Sequence, residues 1–75
     1  MTLFHLGIVA YGQGDADLAA ARLTEALAAF RALPDPWGVA GALDYLGLVA
    51  VEQRDHRHAA ALYAESLALF REIGT

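Results

Sequence analysis

His5–Asp35 reads HLGIVAYGQGDADLAAARLTEALAAFRALPD, and Tyr45–Thr75 reads YLGLVAVEQRDHRHAAALYAESLALFREIGT. Aligned without a gap, the two stretches are identical at 14 of 31 positions. The shared residues include Leu6/Leu46, Gly7/Gly47, Val9/Val49, Ala10/Ala50, Gln13/Gln53, Asp15/Asp55, Ala19/Ala59, Glu25/Glu65, Leu27/Leu67, Phe30/Phe70 and Arg31/Arg71. Even a chain with 17 Ala would match itself far less often by chance. A fixed period in this range signals a stacked-repeat architecture, in which each unit buries its apolar face against its neighbour. Two units follow: one over about residues 1–34 and one over about 35–75.

Local signals predict four helices. The first covers about Thr2–Tyr11 and is closed by Gly12 and Gly14, which tolerate the left-handed conformation that ends helices. Asp15 is placed to cap the second, since its carboxylate can accept free N–H groups of the next turn. Along Ala16–Leu33, the residues Ala19, Leu23, Ala26, Phe30 and Leu33 form one apolar stripe. Pro34 stops that helix. Asp35-Pro36 restarts the pattern, with Pro at the first helical position, where its missing N–H costs nothing. The third helix runs to about Gln53. Asp55 caps a fourth, whose stripe is Ala59, Tyr63, Ser66, Phe70 and Ile73, ending near Gly74. Connections this short force neighbouring helices antiparallel. The expected fold is all-α: two antiparallel helical hairpins stacked side by side.

Composition excludes several function classes. The net charge is −4 and the only basic side chains are five Arg, so there is no basic stripe of the kind nucleic acid requires. With no Cys there is no disulfide, thiolate metal site or cysteine nucleophile, which fits a reducing, cytoplasmic setting. No apolar run approaches the roughly 18–20 residues that span a bilayer. Met1–Gly14 lacks charged residues but also lacks the basic start and cleavage pattern of a signal peptide.

These residues resemble the tetratricopeptide repeat. That motif pairs Leu-Gly in the first helix with a small, a large and another small residue in the second. Here they are Leu6-Gly7 with Ala19, Leu23 and Ala26, then Leu46-Gly47 with Ala59, Tyr63 and Ser66. Small residues let the helices approach, and the large one fills the gap between them. Leu3 and Leu43 stand where the motif favours Trp, Ala10 and Ala50 where it favours Tyr, and Arg31 and Arg71 where it favours Pro. The period exceeds the usual ~34 residues. This longer form is similar to repeats in large bacterial ATP-binding transcriptional regulators and signalling proteins.

The resemblance implies a non-enzymatic protein–protein interaction module, without cofactor or metal, whose partner is a protein or peptide. It further implies that the first helix of each hairpin lines a concave groove. The groove-facing positions are then His5, Ile8 and Tyr11 in the first unit and Tyr45, Leu48 and Glu52 in the second, with Phe4 and Asp44 at the edge. This mixture suits an apolar or basic peptide, helical or extended. It does not suit a carboxylate clamp, because Phe4, Ile8, Asp44 and Leu48 occupy positions where that mode needs Lys and Asn. Packed core is the competing reading for the apolar members of this set.

Other features carry no chemistry. His56 and His58 lie two apart on a helix and point in different directions, and Asp55 with His58 lacks a third ligand. Ser66 is the only serine and falls at a small packing position. Gly12-Gln13-Gly14 has no strand before it and no Lys after it, so it is a helix stop. Trp37 is expected to staple the third helix to the previous hairpin.

The register also suggests a piece of a longer array. Met1-Thr2-Leu3 aligns with Gly41-Ala42-Leu43, so the first helix lacks the turn that residues 35–40 give the third. Gly74-Thr75 aligns with Pro34-Asp35, where a further unit would begin. The last helix is more apolar than its counterpart, Arg22 being replaced by Leu62 and Ala29 by Leu69. Leu62, Leu69 and Ile73 are therefore expected to form an exposed stripe, covered by a neighbouring repeat or by a second copy in a homodimer. The alternative function is accordingly a homodimerising structural element.

Overall fold

Each of the three turns is built on an Asp, and the three lie 20 residues apart: Asp15, Asp35 and Asp55. A computed structural model describes residues 2–74; Met1 and Thr75 lie outside the described residues, together with the register pairings drawn for them. The helices are α1 (Leu3–Gly12), α2 (Ala16–Ala32), α3 (Pro36–Glu52) and α4 (His56–Gly74). Each turn Asp works in both directions. Its backbone N–H donates back to the helix just ended, at Ala10, Phe30 and Ala50 respectively (2.9–3.0 Å). Its carboxylate accepts the N–H of Leu18, Gly38 or His58 in the helix about to begin (3.1–3.2 Å). Thr2 caps α1 in the same manner, accepting from the His5 N–H at 3.1 Å. Such caps each contribute about 0.5–2 kcal/mol.

The α1 and α3 ends are near copies. Gln13 and Gln53 are the C-caps, and the next residue is left-handed: Gly14 at φ 78° and Arg54 at φ 61°. Gly14 donates to Tyr11 and Arg54 to Val51, completing a Schellman-type closure with the Asp bonds above. It is Gly14 that makes this turn; Gly12 remains helical. Arg54 holds a conformation that costs an ordinary residue about 1 kcal/mol more than Gly. At the end of α2, Leu33 is the cap rather than the last core residue. Pro34 ends the helix there and leaves Leu33 largely exposed, correcting its place on the apolar stripe.

α1 packs on α2, α2 on α3 and α3 on α4, while α1 and α3 also touch. The result is two layers, α1 and α3 in front with α2 and α4 behind. Two buried clusters hold them. Ala10, Ala19, Leu23 and Val49 join the first hairpin to α3. Leu27, Ala42 and Leu43 form the second, with Leu62 and Leu69 packed against it. The doubled Leu-Gly motif marks the close crossing within each hairpin. A Cβ on Gly7 would lie 2.7 Å from Leu23 Cγ, and one on Gly47 would lie 2.7 Å from Tyr63 Cε1. Ser66 is buried at a small packing position, and its hydroxyl donates to the Ala40 carbonyl at 3.0 Å.

The last helix corrects one expectation. Leu62, Leu69 and Ile73 are half-buried, not an exposed stripe. Leu62 and Leu69 point inward because the second cluster, built from Leu27, Ala42 and Leu43, has room for them. The exposed leucine of α4 is Leu67. Trp37 likewise does not staple α3 to the previous hairpin. It sits against Phe70 of its own hairpin, centroids 5.9 Å apart, and is mostly exposed.

Candidate functional site

The front layer is joined by aromatic rings. Tyr45 of α3 meets Phe4 edge-on at 5.7 Å and Tyr11 edge-on at 6.2 Å, both on α1. Phe4 in turn meets Phe30 of α2 at 5.6 Å. Edge-on pairs of this kind add about 0.5–1.5 kcal/mol beyond the area they bury. Tyr11 and Tyr45 are thus half-buried supports of the α1–α3 seam as well as members of its surface. Phe4 is no groove edge: it packs against both core clusters. Its burial follows from Gly41, whose missing side chain leaves the ring 3.3 Å from where a Cβ would lie.

The remaining positions differ in exposure. His5, Leu48 and Glu52 are exposed, and Ile8 and Asp44 are half-buried. Asp44 makes no hydrogen bond or ion pair with any described residue, although three phenols surround that part of the fold. One of them, Tyr63, comes from α4 in the back layer and passes over Gly47. Burial, then the Asp44 carboxylate, then the Tyr11 phenol push its pKa above the ordinary 10.0. From the sequence alone, Tyr63 reads as the large packing residue of the second unit. The available signal was its counterpart Leu23: a phenol at that position is longer than the gap it fills and carries a polar end onward.

That environment has a measurable consequence. A phenol whose folded pKa exceeds its unfolded value contributes stability in full below pH 10.0, and loses it as pH rises through the folded pKa. The phenolate absorbance component that disappears in Tyr63→Phe should therefore titrate above 10.0 in the folded chain. A midpoint at or below that value would place the phenol away from Asp44.

Elsewhere, the Arg31 guanidinium of α2 bridges to Glu65 of α4 at 3.3 Å, and Gln53 donates to Asp17 at 3.3 Å. A shallow depression of about 370 Å³ lies beside the α2–α3 turn, lined by Phe30, Pro34, Pro36, Val39 and Leu69 among others. No group of three metal-ligating side chains occurs among the described residues. His58 reaches back toward its own cap, Nδ1 to Asp55 Oδ2 at 3.8 Å. No helix among the described residues is long and apolar enough to cross a membrane.

Two hairpins with doubled Leu-Gly crossings match a known pattern at the level of the whole chain: a tetratricopeptide-repeat family model covers residues 1–72. The chain belongs to the tetratricopeptide repeat family. Comparison with curated proteins and with solved structures found no match. Tetratricopeptide repeats are generally protein–protein interaction modules that bind proteins or peptides, and they are typically non-catalytic scaffolds. In such a repeat the paired small and large residues described above set the helix crossings.

Proposed function

We propose that this tetratricopeptide-repeat chain binds a peptide segment of basic and apolar character across its α1–α3 face. The observation that carries this reading is the half-buried Asp44 carboxylate, which lacks an ion-pair partner among the described residues and lies one helical turn before the exposed Leu48, on the front layer that also holds Ile8 and the Tyr11–Tyr45 ring pair. A carboxylate in such surroundings favours a Lys or Arg side chain, and a charge-assisted hydrogen bond is worth about 1.5–3 kcal/mol. Glu52 and the overall acidic charge act in the same direction. Ile8 and Leu48 supply the apolar contact, and His5 stands at the margin.

Selection from a displayed peptide library tests it. Enriched peptides should combine Lys or Arg with aliphatic residues, and Asp44→Asn should weaken their binding roughly tenfold or more, in line with loss of one charge-assisted contact. Acidic winners, or a footprint confined to the outer surfaces of α2 and α4, would overturn the reading. We further infer that the chain serves within a bacterial regulatory or signalling protein, supported by the 40-residue form of the repeat. The coding sequence on either side of it tests that inference.

A further inference from the structure

The 40-residue register turns the internal hairpin interface into a template for the two outer edges of the molecule. On α3, Leu43 and Val49 are 1% exposed because they pack against the first hairpin. Their counterparts on α1 are the same residues, Leu3 and Val9, yet these are 37% and 39% exposed; Leu6, the counterpart of Leu46, is 38% exposed. At the opposite edge, Leu27 of α2 is 9% exposed where it meets Leu43, while its counterpart Leu67 of α4 is 51% exposed. Val51, the counterpart of Tyr11, is exposed on the same hairpin. One edge therefore repeats the half of the interface that α3 supplies, and the other repeats the half that α2 supplies.

We propose that copies of this chain associate head to tail, the α1 edge of one seated on the α3–α4 edge of another in the register of the internal interface. Polar contacts follow the same translation. Arg31–Glu65, which joins the two hairpins at 3.3 Å, maps to Arg71 facing Glu25 of the second copy. Glu25 at present pairs with Arg22 on its own helix at 2.8 Å. The Gln53–Asp17 hydrogen bond maps to Gln13 of the second copy facing Arg57, and a glutamine amide can accept from Arg as readily as it donates to Asp. The Phe4–Tyr45 ring pair maps to Asp44 facing His5 of the second copy. Both members of that pair change together, from two rings to a carboxylate and an imidazole, so complementarity is retained. This matching of identity, charge and register fits a second copy of the chain to these edges.

A translation of this kind is heterologous and does not close on itself at two subunits. Sedimentation of the 75-residue chain should give a weight-average mass that rises with concentration past twice the 8.0 kDa monomer. Val9→Arg blocks one edge and Leu67→Arg the other. Each variant alone should remain a helical monomer, and an equimolar mixture should form a one-to-one heterodimer through the two intact edges. Leu3→Arg and Val51→Arg provide a second pair should either variant lose its circular dichroism. A parent chain that stays monomeric, or a closed dimer in which mixing the two variants restores nothing, would overturn the proposal. The substituted residues Val9 and Leu67 lie outside the peptide-contacting set, whereas Asp44 and His5 are shared with the inter-copy contact, so selected peptides should bind the monomeric edge variants at least as tightly as they bind the parent. Loss of peptide binding and loss of self-association are thus separable results.

Discussion

Leu23→Ala should cost about 2–5 kcal/mol and lower the melting temperature steeply. Leu23 is fully buried, it joins the first hairpin to Val49 of α3, and it fills the space opposite Gly7. Truncation therefore opens a cavity at the meeting of three helices. A domain of this size holds only about 0.05–0.15 kcal/mol of stability per residue, so the loss is a large fraction of the whole. A far-ultraviolet circular dichroism melt checks it. Each kcal/mol corresponds to a fall of about 4–8 °C in Tm for a domain of 60–100 residues. A fall smaller than that single step would mean the three helices do not depend on this side chain.

Gly47→Leu should destabilise by about 1–3 kcal/mol through overpacking. The Cβ alone would sit 2.7–3.0 Å from three ring atoms of Tyr63, and the leucyl branch has nowhere to go unless the ring leaves. Tyr63 is only half-buried, so its ring can yield partly. The equivalent change at Gly7 should be worse. There the obstacle is Leu23, fully buried, with its backbone nitrogen 3.3 Å from the added carbon. Parallel melts of Gly7→Leu and Gly47→Leu test that ranking, and Gly47→Leu combined with Tyr63→Ala should recover part of the loss. Unchanged melting of both single variants would mean that the Leu-Gly pairs do not mark the crossings.

The turns illustrate how much of this fold is written locally. Asp15, Asp35 and Asp55 announce their caps, because a carboxylate before a helical run meets free N–H groups whatever packs nearby. Pro34 and Pro36 bracket the α2–α3 junction for an equally local reason. Arg54 was not foreseeable in the same way. The sequence offers no Gly there, and its left-handed backbone follows from the closure that Asp55 and Val51 impose.

Side-chain placement was legible only where the two units agree. The crossings at Gly7 and Gly47 were readable because a small residue in one helix recurs opposite a large one in the next. Phe4 and Trp37, both on front helices, depart from their expected places for a common cause. The front helices are apolar nearly all round, so periodicity provides little contrast between a face that meets solvent and one that meets a helix. In the back layer, α4 can turn Leu62 and Leu69 inward only because Ala42 leaves room in the cluster beside Leu27 and Leu43. No spacing within α4 records that room.

The sequence by itself therefore determined four helices, their order, the three Asp caps and the Leu-Gly crossing within each hairpin, since each depends on residues within one turn or on a repeat that can be aligned. Tertiary structure alone decided which apolar side chains are core and which remain at the edges. It also decided that Tyr63 reaches from the back layer to the neighbourhood of Asp44. Those outcomes depend on the shape of the space that neighbouring helices leave, and that space exists only once the hairpins have stacked.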